Sequence, residues 1–392
     1  MKKRLFIGSA VLALVVACAV LVMLLRKEPG YQGKSIKYWA LQALAPQPEA
    51  RQEAIAAFQQ MGPKAVPQLA RLLEAKDSLS RRIAWSLALN LRTGPRQKII
   101  KKLPPLEADR VRLAAAISLG AFGPKAEPAV PALVNVLVRD KGPARGYAAS
   151  TLGGIGGSAI PELLAAMGNK DPKVACAAAT GLEQAGTNAL AAAPGLMKFF
   201  LSNDELRRTL AAGVLPKLGP GVLPFLVEAA ESPDPVTRVR AAGLFPLVRA
   251  PRDQTVPPLL RMLADDDPAC REKAVAALGF FQLPNRAILE GLLAATHDPT
   301  SSVRLAAIKA LAKPSYDLPR VVCRLSECLN DESPVIRSEA ARSLGLIGPP
   351  AQSALPDLIR LAEDKQDLVG LSAREAAARI DGVKNRRENV GR

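Results

Sequence analysis

The strongest constraint on this chain is a motif that returns every 31–34 residues. It reads "ADRVRLAAAISLG" at 108–120, "GPARGYAASTLGG" at 142–154, "DPACREKAVAALG" at 267–279, "SSVRLAAIKALA" at 301–312 and "SPVIRSEAARSLG" at 333–345. A fixed step of this length means stacked copies of one small unit, each too thin to bury its own apolar face. The marker arginines are Arg112, Arg145, Arg207, Arg240, Arg271, Arg304 and Arg337, with one member missing where "VA" stands at 174–175. Arg51, Arg82 and Arg374 continue the series outward.

The motif has helical periodicity. At 100° per residue, Ile336, Ala340, Leu344 and Ile347 share one face. Aromatics make up only 4% of the chain and alanine is abundant, which suits closely packed helices and not a β-sandwich. Between the motif helices lies a second unit, as in "AVPQLARLLE" (65–74), "AVPALVNVLV" (129–138), "AIPELLAAM" (159–167) and "ALPDLIRLA" (354–362). Its proline sits in the first turn, where the missing N–H costs little. Asp171-Pro172, Asp234-Pro235, Asp267-Pro268 and Asp298-Pro299 read as an N-cap followed by the first helical residue. Gly120, Gly153, Gly279 and Gly345 read as left-handed helix ends. The expectation is all-α: a solenoid of about eleven antiparallel helix hairpins, preceded by one transmembrane helix. The expected divisions are an anchor at 1–27, a linker at 28–34, the solenoid at 35–383 and a basic tail at 384–392.

The Pro-led first helix, the Asp turn and Val-Arg-x-x-Ala-x-x-x-Leu-Gly in the second helix resemble the HEAT-repeat family, in particular its short bacterial HEAT-like variety. The resemblance covers nearly everything after Lys34. It implies an α-solenoid whose second helices line a groove, and an Asp/Arg ladder between repeats. Ala175 in place of arginine, Gly243 in place of alanine and the irregular stretch 91–108 leave the local register open.

Residues 5–25 are uncharged and overwhelmingly apolar, and follow "KKR". As a helix they would span about 31 Å, the thickness of a bilayer's hydrocarbon core. A signal anchor uses the whole stretch, a cleaved signal would end at Ala19, and a lipoprotein would use Cys18. The anchor is the favoured reading. It places a single-pass protein in a bacterial inner membrane, with the solenoid in the periplasm as the favoured topology and in the cytoplasm as the alternative.

The formal net charge is +17, from 53 Lys+Arg against 36 Asp+Glu. Arg337 lies at the border of the buried helix face, pointing toward the next repeat, where a guanidinium can bond turn carbonyls and carboxylates. The seven marker arginines are therefore read as structural, not as a nucleic-acid surface. Arg92, Arg96, Lys98, Lys101 and Lys102 form a basic stretch without an acid, open to reading as a solvated face, as a contact for anionic lipid or as a nucleic-acid contact.

Catalytic chemistry finds little footing. His297 is the only histidine and precedes Asp298 in a turn, which argues against a His-metal cluster or a Ser-His-Asp triad. The five cysteines form no CxxC pair. "GKS" (33–35) lacks the first glycine of a phosphate loop. No catalytic, cofactor or metal residue is assigned, and no cofactor is expected.

The positions one and five after each marker arginine oppose the buried face. They give a candidate partner groove of Leu113, Ile117, Phe245, Leu305, Lys309 and Arg342. Packing between repeats and docking of a partner both remain open for these residues. The expected function is a non-enzymatic, membrane-anchored scaffold for an unknown protein or peptide, with the membrane met through residues 5–25 and nucleic acid not expected. The alternatives are a HEAT-like repeat enzyme, lyase or chaperone-like factor, or a nucleic-acid binder.

Overall fold

A computed structural model of the 392-residue chain describes residues 30–90, 107–281, 285–313, 317–364 and 367–390. Two compact units divide at Ala192–Ala193. Both are built almost wholly from helices packed in solenoid fashion, each helix against its sequence neighbours.

The first unit opens with a small departure from the all-α expectation. Gly30–Tyr31 and Lys34–Ser35 pair as a two-stranded antiparallel hairpin, where a linker was expected. Gln32 and Gly33 between them both have positive φ, 52° and 71°, the signature of a tight primed turn. Trp39 fixes the hairpin by donating its Nε1–H to the Tyr31 carbonyl at 3.1 Å. The unit continues through α1 (Ile36–Gln42), α2 (Pro48–Met61), α3 (Val66–Leu72), α4 (Leu79–Leu89), α5 (Ala108–Gly120), α6 (Val130–Arg139), α7 (Ala144–Ile155), α8 (Ala159–Met167) and α9 (Pro172–Ala185). The second unit contains α10 (Ala193–Leu201), α11 (Glu205–Val214), α12 (Leu223–Ala230), α13 (Pro235–Leu244), α14 (Arg252–Met262), α15 (Pro268–Leu278) and α16 (Arg286–Ala295). It ends with α17 (Ser301–Leu311), α18 (Leu318–Cys328), α19 (Pro334–Ile347), α20 (Leu355–Leu361) and α21 (Asp367–Val390).

Aspartate caps start several second helices. Asp171 accepts from Lys173 N at 2.9 Å, Asp234 from Thr237 N at 3.0 Å and Asp267 from Ala269 N at 2.8 Å. Each satisfies a donor that the first turn would leave orphaned. Asp298-Pro299 departs from its expected role. Thr300 is the N-cap residue of α17, and Asp298 lies two residues earlier, matching Asp265 and Asp331 instead of Asp267.

The glycine expectation is also corrected. Gly120 and Gly153 lie inside helices, Gly345 lies inside α19, and Gly279 has φ −64°. The left-handed ends sit at Gly156 and Gly348, three residues on. The earlier glycines let consecutive second helices touch. A Cβ on Gly153 would lie 2.2 Å from the Gly181 carbonyl oxygen, and one on Gly279 would lie 2.5 Å from Ala310 Cβ. Small residues thus set the helix separation, consistent with a core rich in buried alanine.

The regular spacing of the hairpins is interrupted around α4. Asp77 accepts from Glu107 N and Ala108 N at 3.1 Å each, and Arg112 Nη1 donates to the Ala75 carbonyl at 2.7 Å. The turn after α3 is therefore joined directly to the start of α5, which packs on α1 and α3. Leu79, Ile83 and Leu87 of α4 stay exposed, and so does Arg82, counted from the sequence as a repeat member.

The membrane expectation is overturned. No helix among the described residues is long and apolar enough to cross a membrane. The longest, α21, spans 24 residues but carries Arg374, Glu375, Arg379 and Asp381. A single-pass inner-membrane protein facing the periplasm is thus not supported. Residues 5–25, the last two residues of the tail at 384–392 and the basic stretch Arg92, Arg96, Lys98, Lys101 and Lys102 lie outside the described residues.

Candidate functional site

The marker arginines form a ladder of defined geometry in the second unit. Arg271 Nη1 donates to the Asp265 and Asp266 carbonyls at 2.9 and 3.1 Å, in the turn before its own helix. Its Nε and Nη2 reach the Asp298 carboxylate of the next repeat at 2.7 and 2.9 Å. Asp298 then offers its carbonyl to Arg304 Nη1 at 2.9 Å, and Arg304 grips Asp331 at 2.9 and 3.0 Å. Arg337 repeats the step, from the Asp331 carbonyl at 2.9 Å to Asp364 at 3.0 Å. A rigid planar fork with five donors can serve carbonyls and a carboxylate together; an ammonium cannot. In the first unit Arg112 Nε bonds Asp140 at 2.7 Å, and Arg145 lies 3.3 Å from Asp171.

The electrostatics follow the geometry. The Arg238 guanidinium holds the Asp265 carboxyl below the usual carboxylate range, against desolvation. Arg271 does the same for Asp298. Arg271 and Arg304 are in turn pushed up, foremost by hydrogen bonds to Asp298 and Asp331.

One register is corrected. Arg238, not Arg240, makes the paired contact to Asp265, with both bonds at 2.7 Å, and takes the Ser232 carbonyl at 2.9 Å. Arg240 instead donates to the Leu201 carbonyl of the preceding repeat at 2.7 Å. Arg207 pairs with Asp204, the N-cap residue of its own helix. Sequence reasoning overlooked Arg238 and the ladder role of Asp140, Asp265, Asp331 and Asp364. An aspartate 27 or 28 residues after the arginine was the available signal.

The register shift also moves the candidate groove. Phe245 is fully buried, as is Ala241, so Phe245 belongs to the core. Counted from Arg238, the groove positions become Val239 and Gly243, both half-buried. Leu113 and Ile117 are half-buried on α5, Leu305 is half-buried on α17, and Lys309 and Arg342 are exposed. Leu305 and Lys309 come together with Glu272, Ala276, Ala306 and Lys313 around a groove of about 380 Å³ between α15 and α17. Arg342 is held by Glu339, with Nε 3.1 Å from Oε2, and Arg208 is paired with Glu205.

Chemical groups elsewhere are sparse. Among the described residues no group of three or more His, Cys, Asp or Glu could hold a metal. His297 is exposed beside Cys323 and the Glu290–Arg320 pair, whose two bonds are 2.9 Å each. Burial pushes the Cys270 and Cys328 thiols up to about 11.

With the hairpins, the ladder and the groove placed, comparison with known families assigns the class. A model of HEAT repeats matches residues 130–216, 223–295 and 289–379, and a model of the PBS lyase HEAT-like repeat matches residues 111–139. The chain belongs to the HEAT-repeat family. A search of curated proteins found no match. Among solved structures, an engineered protein from a structural genomics consortium is 19% identical with TM-score 0.35, covering 88% of this chain and 98% of that one. Importin beta is 14% identical with TM-score 0.42, covering 88% of this chain and 55% of its own. Kap121p is 14% identical with TM-score 0.41, covering 89% of this chain and 46% of its own. The chain thus spans about half the length of these two proteins.

Proposed function

We propose that this chain is a non-enzymatic scaffold that holds a protein or peptide partner against the second-helix face of its second unit. The groove of Leu305, Ala276, Ala306, Lys309 and Lys313 carries the reading, because it is a concave, part-apolar surface that the ladder leaves unused. A nucleic-acid role is disfavoured by the charge arrangement. The ladder guanidiniums are occupied by carboxylates and carbonyls, and Arg208 and Arg342 are neutralised within their own helices. A phosphate groove needs a run of unpaired cations along one face.

The test is a photo-crosslinking side chain at Leu305 or Ala276, compared with one at Arg286 on a first helix. A partner joined from the two groove positions and not from Arg286 is the expected result. Equal capture from all three positions, or none from the groove, contradicts the reading.

A further inference from the structure

Nine residues after each ladder arginine of the second unit stand Leu247, Phe280, Lys313 and Leu346. The three apolar side chains are 50%, 56% and 60% exposed. The position adjoins the groove: Lys313 lines it, beside Lys309 on α17. The repeat fold does not demand large apolar residues there, because the same position after Arg112 and Arg145 holds Ala121 and Gly154. Four consecutive repeats thus present the order apolar, apolar, cation, apolar along one edge. Lys273 and Lys309 beside that edge are exposed and make no ion pair with a described residue.

Adjacent packed helices lie about 8–10 Å apart. Seven residues of a partner helix rise about 10.5 Å and return to nearly the same face. We propose that this edge docks an acidic amphipathic helix of another protein, laid across α13, α15, α17 and α19. The helix carries apolar side chains at i, i+7 and i+21 and a carboxylate at i+14. The apolar positions meet Leu247, Phe280 and Leu346, and the carboxylate meets exposed Lys309 and the ammonium of half-buried Lys313, which also donates to the Gly279 carbonyl. This inference rests on the second-helix face being the partner surface, and it adds the partner's chemistry and direction.

The test uses the full chain and a synthetic fluorescent helix with leucine at i, i+7 and i+21, glutamate at i+11 and i+14, and alanine and glutamine elsewhere, read by anisotropy. The wild type should bind it. Phe280→Ser with Leu346→Ser should weaken binding at least about tenfold, the loss expected when buried anchors are removed. Melting should stay unchanged, because both side chains are more than half exposed. Lys309→Glu should weaken the same peptide and restore binding of a version with lysine at i+11 and i+14. Three results overturn the proposal: no binding by the wild type, equal affinity for the lysine peptide, or a double variant as tight as wild type. Concentration-dependent self-association that Phe280→Ser abolishes also overturns it, since the occupant would then be a second copy. If the Leu305 cross-linker still captures a protein while the acidic helix fails to bind, the scaffold reading stands and this one falls.

Discussion

Replacing Arg304 by alanine removes five hydrogen bonds from one side chain. They run to the Asp331 carboxylate at 2.9 and 3.0 Å, to Glu332 at 3.3 Å, and to the Asp298 and Pro299 carbonyls at 2.9 and 3.1 Å. The Arg304 and Asp331 side chains are 8% and 13% exposed, so water cannot readily replace the lost partner. The Asp331 carboxylate would keep only its bond from Ser333 N at 2.9 Å. Breaking a buried pair by removing one partner costs about 3–5 kcal/mol, and the residual exposure here favours the lower end, about 3 kcal/mol. For a unit of this size that corresponds to a melting shift of roughly 6–12 °C. Arg304→Lys should lose an intermediate amount, because one ammonium cannot span both Asp331 and the two carbonyls. The control is Arg286→Ala, whose side chain is 92% exposed and whose carboxylate lies 3.8 Å away; it should not shift the melting curve. Thermal unfolding followed by circular dichroism decides the matter. An Arg304→Ala curve that overlays the Arg286→Ala curve refutes the ladder as a stabilising device.

Asp298 has a folded-state pKa below its unfolded value near 4, so its contribution is complete above that value and is lost as pH falls through the lower folded one. Asp298→Asn should therefore melt earlier than wild type at pH 7, with the gap closing below about pH 4; a constant gap contradicts the pairing. Gly153→Ala should destabilise by about 1–3 kcal/mol through its clash with the Gly181 carbonyl, while Gly154→Ala, which meets nothing within 4 Å, should be neutral or slightly stabilising. At pH 8 a disulfide reagent should modify exposed Cys176 and Cys323 well before Cys270 and Cys328, whose thiols are pushed up to about 11; peptide mapping of the label would show the reverse order if burial were misjudged.

The repeat step was legible because every hairpin solves the same packing problem, so its residues recur at one spacing. Register within a repeat was harder. "TRVR" at 237–240 offers two arginines, both bond turn carbonyls, and each has an aspartate 27 residues on; only the structure separates them, pairing Arg238 with Asp265 while Asp267 caps α15. That single slip carried Phe245 from the core into the expected groove. Asp298-Pro299 looked like a cap because aspartate serves two turn positions here, two residues apart, and proline tolerates either. Glycine was ambiguous for a related reason: freedom at φ > 0 and absence of a Cβ are separate properties, and Gly153 uses the second while Gly156 uses the first. The departure at α4 was not readable from local sequence, because "SRRIAWSLALN" has a helical pattern wherever it packs.

Neighbouring residues of α17 and its groove divide the work in this proposal, with Arg304 holding the stack and the surface beside it holding the partner. This division is tested most directly by measuring melting and Leu305 cross-linking in two full-length variants, Arg304→Ala and Ala276→Trp. Ala276 is exposed and lines the groove, so tryptophan fills that groove without entering the core. Arg304→Ala should melt about 6–12 °C early and capture partner in proportion to its folded fraction. Ala276→Trp should melt like wild type and capture none. A folded, fully stable Arg304→Ala that has lost capture, or an Ala276→Trp that captures normally, would contradict it.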